Sequence, residues 1–215
     1  MKRSLHDHTF VVIDLETTGI SKFDRVCEIG MIRIEGSDIV DKFDTLINPE
    51  TSITNTVFHG IEDWMVKDAP CFRDIADQVA DYIRDTVLIA HNAPFDMRFI
   101  RYEFQRLDTD LSNLALCTLK LARKIHPRFP THRLDYMLRE YDIINEHHHR
   151  AVNDAESSAR LFLQMQHKLD QAGLNTISSL KKWGLPYDHK WCDETIVENG
   201  HCDCELITRD NVTSS

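Results

Sequence analysis

The order of apolar patterns along the chain predicts an α/β domain with a mixed sheet flanked by helices. Three short, β-branched segments come first, then apolar residues at helical spacing, then another short strand and further helices. The chain has 215 residues, of which 42% are hydrophobic and 28% charged, which suits one domain with an ordinary core. This composition argues against a disordered chain. No apolar run reaches the roughly 18 residues of a membrane span, so we expect no membrane partner.

The predicted sheet begins with three strands, at residues 9–14, 26–34 and 39–47. The first is short, apolar and rich in β-branched residues, which is typical of a buried strand. A Glu-Gly-Ser-Asp turn joins the second and third, so we expect a hairpin or meander there. Two later segments, at residues 86–90 and 114–117, supply the remaining strands.

The helices are predicted where apolar residues recur at helical spacing. Pro94 suits the first turn of one helix, and Asn153 with Glu156 resembles a capping box that opens a long one. The expected helices cover residues 71–83, 94–106, 119–125, 134–141, 153–169 and 176–183. Their alternation with the later strands is what a layered α/β domain requires.

The chain divides into a domain over residues 1–184 and an acidic C-terminal tail over 185–215. The tail has seven acidic and two basic side chains and no periodicity, so we interpret it as a partly disordered tail or a partner-docking extension. Its histidines and cysteines fit no familiar zinc spacing: His189, Cys192, His201, Cys202 and Cys204. The N-terminus shows no secretory pattern, so a cytoplasmic location is expected.

The net charge of −10 argues against nucleic-acid binding through a broad basic surface. The charge is uneven, however, because residues 98–139 hold nine Lys or Arg against four Asp or Glu. Such a basic segment can follow a phosphate backbone, although it equally fits a solvated helix face. The candidates for a phosphate track are Arg123, Lys124, Arg128 and Arg133.

Two carboxylates, Asp14 and Glu16, stand at the end of the first predicted strand. Side chains alternate along a strand, so these two share one face. They repel each other unless they are protonated or bind cations, which makes them a candidate cation site. The alternative is a pair of ordinary surface acids at an exposed strand end.

Two further acids lie in the first turns of predicted helices. Asp96 comes just after the strand at 86–90, in the first turn of a helix, where the helix dipole alone also favours an acid. Asp154 lies in the first turn of the long helix, and His149 precedes it on a loop. The three consecutive histidines at 147–149 alternatively suggest a simple metal site or surface histidines.

Four acids at three such places match a two-cation site for phosphoryl transfer. Carboxylate oxygens are the ligands that suit Mg²⁺ or Mn²⁺. A neutral His149 nearby can take a proton from an attacking water, because the pKa of histidine lies near working pH. The sequence therefore predicts two Mg²⁺ or Mn²⁺ ions as cofactors.

Three motifs carry a family resemblance. They are Asp-Leu-Glu-Thr-Thr-Gly at 14–19, His-Asn-x-x-Phe-Asp-x-x-Phe at 91–99 and His-Arg-Ala-x-x-Asp-Ala at 149–155. Together with Phe-His-Gly-Ile at 58–61, they resemble the DEDDh (DnaQ-like) 3′–5′ exonucleases, which include the proofreading epsilon subunit of bacterial DNA polymerase III. The match runs from about residue 10 to residue 163, in the family's order and at ordinary spacing.

The resemblance implies an RNase H-like fold with a mixed five-stranded sheet, and hydrolysis at 3′ ends that releases nucleoside 5′-monophosphates. It implies a catalytic set of Asp14, Glu16, Asp96, Asp154 and His149, in which the four acids hold metal and His149 is the general base. It implies substrate contacts from Thr17, His59 and Asn92. The expected partners are 3′ ends of single-stranded DNA or RNA and a DNA polymerase subunit.

Several residues near these motifs have two interpretations. Phe95 and Phe99 fit core packing or base stacking, and Arg150 fits a place near the scissile strand or a structural ion pair. Cys117 with Thr118 stands where many relatives have Asp-Thr, which puts a secondary polar contact in doubt.

We therefore expect a metal-dependent 3′–5′ exonuclease acting on single-stranded or frayed DNA, of the proofreading or repair type. One alternative is an exoribonuclease that trims RNA ends, since the sequence does not place the contacts that read a 2′-hydroxyl. The other is a non-catalytic nucleic-acid-binding module. The four acids and His149 argue against that module, because binding alone does not require all five.

Overall fold

The computed structural model describes residues 3–145, 149–181 and 186–187, and one six-stranded sheet runs through them in the order β3-β2-β1-β4-β5-β6. The strands are β1 (Thr9–Thr17), β2 (Val26–Glu35), β3 (Asp38–Leu46), β4 (Val87–Ala90), β5 (Ala115–Cys117) and β6 (Pro186–Tyr187). The helices are α1 (Thr56–His59), α2 (Asp63–Val66), α3 (Phe72–Ile83), α4 (Ala93–Gln105), α5 (Thr118–Ile125), α6 (Leu134–Glu140), α7 (Ala151–Gln171) and α8 (Ile177–Lys181).

The sheet is mixed, as predicted. Strands β1, β2 and β3 form an antiparallel meander, whereas β4 is parallel to both β1 and β5. The five predicted strands are thus confirmed, and the two-residue β6 adds an antiparallel edge beside β5. Strand β6 lies within the segment assigned to the tail, and residues 188–215 are outside the described part, so the domain division stays a prediction.

The alternation of side chains along β1 separates two cores. Val11, Ile13 and Leu15 point toward α3 and α4, while Phe10 and Val12 point toward α5, α6 and α7. Asp14 and Glu16 continue the second set, so the sheet directs both carboxylates to the face that α7 covers.

Helix α7 packs closely against the sheet at Gly30 of β2. A Cβ atom on Gly30 would lie 2.2 Å from the Val152 nitrogen and 2.3 Å from the Ala151 carbonyl carbon. Gly30 is paired with Asp14 in the β1–β2 register. The missing side chain therefore lets the first turn of α7 rest directly beside the acidic end of β1.

The start of α7 differs from the prediction. The helix begins at Ala151, with Arg150 as its N-cap, and Asn153 and Glu156 do not form the expected capping box. The Ala151 N–H instead donates to a carboxylate of Glu28 on β2, at 2.9 Å. Because this acceptor is distant in sequence, a local capping pattern could not show it.

Two one-turn helices, α1 and α2, lie between β3 and α3, where no helix was expected. Each has four residues, too few to produce a periodic pattern. Helix α8 lies inside the predicted helix at residues 176–183.

None of the helices in the described part of the chain combines the length and apolar character that crossing a lipid bilayer requires.

Replacing Gly30 with Ala should lower the free energy of unfolding by about 1–3 kcal/mol, because the new methyl group overpacks the contact with α7. It should also speed amide hydrogen exchange in residues 150–155, measured by mass spectrometry. Gly36→Ala is the control, because a methyl group on Gly36 would meet no atom within 4 Å, and the φ of 63° there strains only the backbone. Equal exchange in residues 150–155 of both variants would refute the close contact.

Candidate active site

Two buried carboxylates face each other across β1 and β2. Glu16 is 6% exposed and pairs in register with Glu28, which is 2% exposed. Like charges directly opposite each other destabilise a sheet unless a counter-charge lies close. Burial raises the pKa of the Cys27 thiol, and the Glu16 and Glu28 carboxylates raise it further.

The counter-charge for Glu28 is Arg150. Its Nε and Nη2 atoms donate to one Glu28 oxygen at 2.8 and 2.6 Å, while the Ala151 N–H donates to the other oxygen. The hydrogen bond to Glu28 raises the pKa of the Arg150 guanidinium. Of the two interpretations of Arg150, the structure shows the ion pair.

Asp154 is held from both sides in the first turn of α7. It is 9% exposed, and its two oxygens accept from the His149 backbone N–H at 3.0 Å and from the Asn145 side-chain amide at 2.7 Å. His149 has a φ of 66°, the left-handed region that non-glycine residues rarely adopt. Strained backbone of this kind persists where surrounding contacts over-determine it, often at functional sites.

Glu16, His149 and Asp154 form the tight group of the site. Each offers one ligand atom, and these atoms all lie within 4.8 Å of one another. Two carboxylates and one imidazole at this spacing suit a divalent cation. Glu16 and Asp154 are buried while His149 is exposed, so the group opens to solvent on the His149 side.

Asp14 and Asp96 lie beside this group. Asp14 shares a strand face with Glu16, and Asp96, in the first turn of α4, accepts from the Leu15 N–H between them at 3.2 Å. Asp96 is 4% exposed. Asp96 therefore contacts the end of β1 that carries Asp14 and Glu16, while the ligand spacing of a cation site is shown for Glu16, His149 and Asp154.

The expected substrate residues surround the end of β1. The His59 ring is 5% exposed; its Nδ1 accepts from the Ile61 N–H at 3.0 Å, so its Nε2 carries the proton that it donates to the Thr17 carbonyl at 3.2 Å. The Thr17 hydroxyl donates to the Gly19 carbonyl. Asn92 has a φ of 73° just before α4. His59 therefore braces the Thr17 backbone, and direct substrate contact by these residues stays a prediction.

Thr118, which follows the departure at Cys117, contacts His91. The Thr118 hydroxyl lies 2.9 Å from Nδ1 of His91, whose Nε2 donates to the His132 carbonyl at 3.0 Å. Because Nε2 is the donor, Nδ1 accepts from Thr118. Burial lowers the pKa of His91 to about 4, so the ring is neutral at physiological pH.

The remaining ambiguous side chains divide between core and surface. Phe99 is fully buried in the core, and Phe95 packs against it, with the Arg98 guanidinium 4.9 Å from the Phe99 ring. Core packing is therefore the role that the structure gives Phe99. The four basic candidates of residues 123–133 are exposed or half-buried, which suits a phosphate track and a solvated face equally.

A family model described as an exonuclease, RNase_T, matches residues 11–162. The chain belongs to this exonuclease family. This confirms the predicted membership in an exonuclease family, and the domain is an exonuclease, a hydrolase of phosphodiester bonds. Members of this family use divalent metals, which the acidic group fits.

Two similar curated proteins are much longer polymerases. DNA polymerase III PolC-type of Caldanaerobacter subterraneus subsp. tengcongensis is 37% identical over 174 residues, and that of Bacillus subtilis is 36% identical over 177. Each match covers 80% of this chain but 12% of the relative. The chain thus spans only a small part of the length of these relatives.

Solved structures confirm the fold. Exonuclease X in complex with 5′ overhanging duplex DNA superimposes with a TM-score of 0.67 at 24% identity, covering 81% of this chain and 99% of that one. E. coli Exonuclease I in complex with a dT13 oligonucleotide gives 0.70 at 17%, covering 77% and 42%. The nuclease domain of 3′hExo, a DEDDh family member bound to rAMP, gives 0.67 at 15%, covering 77% and 95%.

Three residues of the site were not singled out from the sequence: Glu28, Gly30 and Asn145. The signal for the first two was available, because a carboxylate and a glycine two residues apart interrupt an apolar strand; they pair with Glu16 and Asp14 of β1 on the same face of the sheet. Nothing local distinguishes Asn145, whose role depends on the position of Asp154.

The lowered pKa of His91 should make the free energy of unfolding depend on pH. The unfolded chain takes up a proton near pH 6.5 and the folded protein only near pH 4, so protonation favours unfolding between these values. The free energy of unfolding should fall as pH drops through this window, by up to about 1.4 kcal/mol per pH unit from this group. Urea titrations of the protein and of His91→Gln should show a shallower slope in the variant; identical slopes would contradict the assignment.

Proposed function

We propose that this domain removes nucleotides from the 3′ ends of single-stranded or frayed DNA, releasing nucleoside 5′-monophosphates in proofreading or repair. The observation that carries the proposal is the tight group of Glu16, His149 and Asp154, flanked by Asp14 and Asp96, in a member of an exonuclease family. DNA as substrate is supported by the polymerase relatives and by neighbours solved with duplex or single-stranded DNA. Partnership with a polymerase belongs to the same proposal, and the cytoplasmic location stays a prediction.

Asp14, Glu16, Asp96 and Asp154 would hold two Mg²⁺ or Mn²⁺ ions. When bound, such ions stabilise charge on the phosphoryl group and make a water nucleophilic near neutral pH. The protein's own contribution is to hold the carboxylate oxygens of these acids in fixed orientations. Asp154 is oriented by the His149 N–H and the Asn145 amide, and Asp96 by the Leu15 N–H, so these carboxylates need little rearrangement to bind.

His149 would act as the general base. Its side chain is exposed beside the buried Asp154, so it can reach an attacking water while remaining accessible to solvent protons. A neutral imidazole accepts a proton, and the pKa of an ordinary histidine lies near physiological pH. The left-handed backbone at His149 holds the ring's attachment point next to the carboxylate that its N–H contacts.

The terminal nucleotide would lie against the end of β1, where Thr17, His59 and Asn92 would contact it. The His59 ring fixes the Thr17 carbonyl, so the strand end presents a rigid backbone to the substrate. The basic segment of residues 98–139 would offer contacts to phosphates further along the strand.

RNA is the second candidate substrate. Two structural neighbours favour it: the 3′hExo nuclease domain bound to rAMP, and a 3′-exonuclease that recognises a histone mRNA stem-loop. The non-catalytic alternative is not favoured, because a binding module does not need the close group of Glu16, His149 and Asp154.

Cleavage of 5′-labelled DNA and RNA oligomers of matched sequence, with Mg²⁺, with Mn²⁺ and with a chelator, tests the proposal. We expect stepwise shortening from the 3′ end, faster on DNA and abolished by the chelator. Asp14→Asn should lower the rate at least about 1,000-fold, since metal-ion stabilisation contributes several kcal/mol. The exposed Asp38→Asn is the matched control and should keep full activity. Faster cleavage of RNA would overturn the DNA assignment, and an unchanged rate in Asp14→Asn would overturn the site.

Replacing His149 with Ala should lower kcat by about 100- to 10,000-fold at neutral pH and remove the limb of the pH–rate profile that reports the base. Mn²⁺ affinity, measured by the electron paramagnetic resonance signal of free Mn²⁺, should remain near that of the unmodified protein. If the affinity instead falls tenfold or more, His149 is a ligand and another group is the base.

A further inference from the structure

Glu28 is a buried carboxylate that the proposed chemistry does not use. It lies in the apolar strand β2, directly opposite Glu16, and one of its oxygens accepts both the Nε and Nη2 donors of Arg150. The other oxygen accepts the N–H of Ala151, the first residue of α7. One carboxylate thus fixes two consecutive residues at the start of the helix.

Those two residues connect to both functional groups on α7. His149 immediately precedes Arg150, and the Asp154 N–H donates to the Arg150 carbonyl at 3.1 Å. The Asp154 carboxylate in turn accepts from the His149 N–H. Residues 149–154 therefore form one hydrogen-bonded turn, and a shift of Arg150 or Ala151 moves the base and the acid together.

We propose that Glu28 is a positioning residue: its contacts with Arg150 and Ala151 seat the first turn of α7 on Gly30 and thereby set the distance from Asp154 and His149 to Glu16. This inference rests on the proposed function, since it concerns the same metal-binding group. Gly30 limits how closely the turn approaches β2, and Glu28 prevents the turn from moving away.

Because Glu28 uses both carboxylate oxygens as acceptors, its positioning role should be lost when a single oxygen is replaced by an NH₂ group. Glu28→Gln keeps the shape but offers one oxygen and one NH₂ group. The amide can accept from Arg150 or from Ala151, and it then turns donor hydrogens toward the other. The turn must shift, and residues that orient metal ligands typically change affinity by about 10- to 100-fold when mutated.

A second pair in the molecule provides a matched control. Glu103 of α4 is 1% exposed, accepts from the Arg25 Nε and Nη2 atoms at 2.8 and 3.0 Å, and also accepts the Val26 N–H at 3.1 Å. Like Glu28, Glu103 is a buried carboxylate that accepts from an arginine and from a backbone N–H; it also pairs with a second arginine, Arg106, at 3.4 Å. It joins α4 to the start of β2, however, and contacts none of the acids of the site.

The experiment measures the Mn²⁺ dissociation constant of the whole chain by electron paramagnetic resonance, with circular dichroism to verify folding. Glu28→Gln should weaken Mn²⁺ binding about 10- to 100-fold. Both Glu28→Gln and Glu103→Gln should lower the melting temperature, to a similar degree. Glu103→Gln should leave the Mn²⁺ affinity unchanged. Equal Mn²⁺ affinity in Glu28→Gln and the unmodified protein would overturn the proposal.

Arg150→Gln separates positioning from simple electrostatics and serves if Glu28→Gln does not fold. Removing a positive charge near the acids should strengthen cation binding if only the local field matters. If Glu28 and Arg150 position the turn, Arg150→Gln weakens Mn²⁺ binding, in the same direction as Glu28→Gln despite the opposite change in charge. Tighter Mn²⁺ binding by Arg150→Gln would overturn the proposal.

The outcomes also separate this proposal from the proposed function. An unmodified protein that binds Mn²⁺ but cleaves no oligomer contradicts the function, while weakened Mn²⁺ binding in both variants still supports positioning. A protein that cleaves DNA while its variants bind Mn²⁺ normally supports the function and contradicts positioning. An unmodified protein that binds no Mn²⁺ contradicts both.

Discussion

The close contact between the first turn of α7 and β2 is the constraint on which the rest of the site depends. A helix can lie this near a strand only where a side chain is missing, and Gly30 is that position. The contact sets α7 beside the strand end that carries Asp14 and Glu16. Without it, the acids of β1 and the acid of α7 would be separated by a layer of side chains, and no shared ion could bridge them.

The electrostatics of the site follow from this packing. The packing of α7 on β2 buries Glu28 opposite Glu16. The Arg150 guanidinium neutralises the charge of Glu28. Asp154 and Asp96 receive hydrogen bonds from neutral amide groups, which orient a carboxylate without cancelling its charge. A divalent cation bound there would supply positive charge, so metal binding and the packing of α7 would stabilise each other.

The sequence was informative wherever the determining pattern was local. Alternation in β1 placed Asp14 and Glu16 on one face, and the strand before α4 placed Asp96 near them. The start of α7 was predicted two residues too late because its first N–H is capped from β2 by Glu28, a contact between distant residues. The two single-turn helices were missed because four residues are too few for a period. The backbone angle of His149 likewise depends on contacts that no local pattern records.

The central claim is that α7, seated on Gly30, brings Asp154 to Glu16 to form a pocket for divalent cations. A crystal structure with Mn²⁺, located by its anomalous scattering, tests this most directly. The account predicts an anomalous peak in contact with carboxylate oxygens of both Glu16 and Asp154, with Ala151 packed on Gly30. A crystal in which Mn²⁺ is absent from these residues, or in which Asp154 lies away from Glu16, would contradict it.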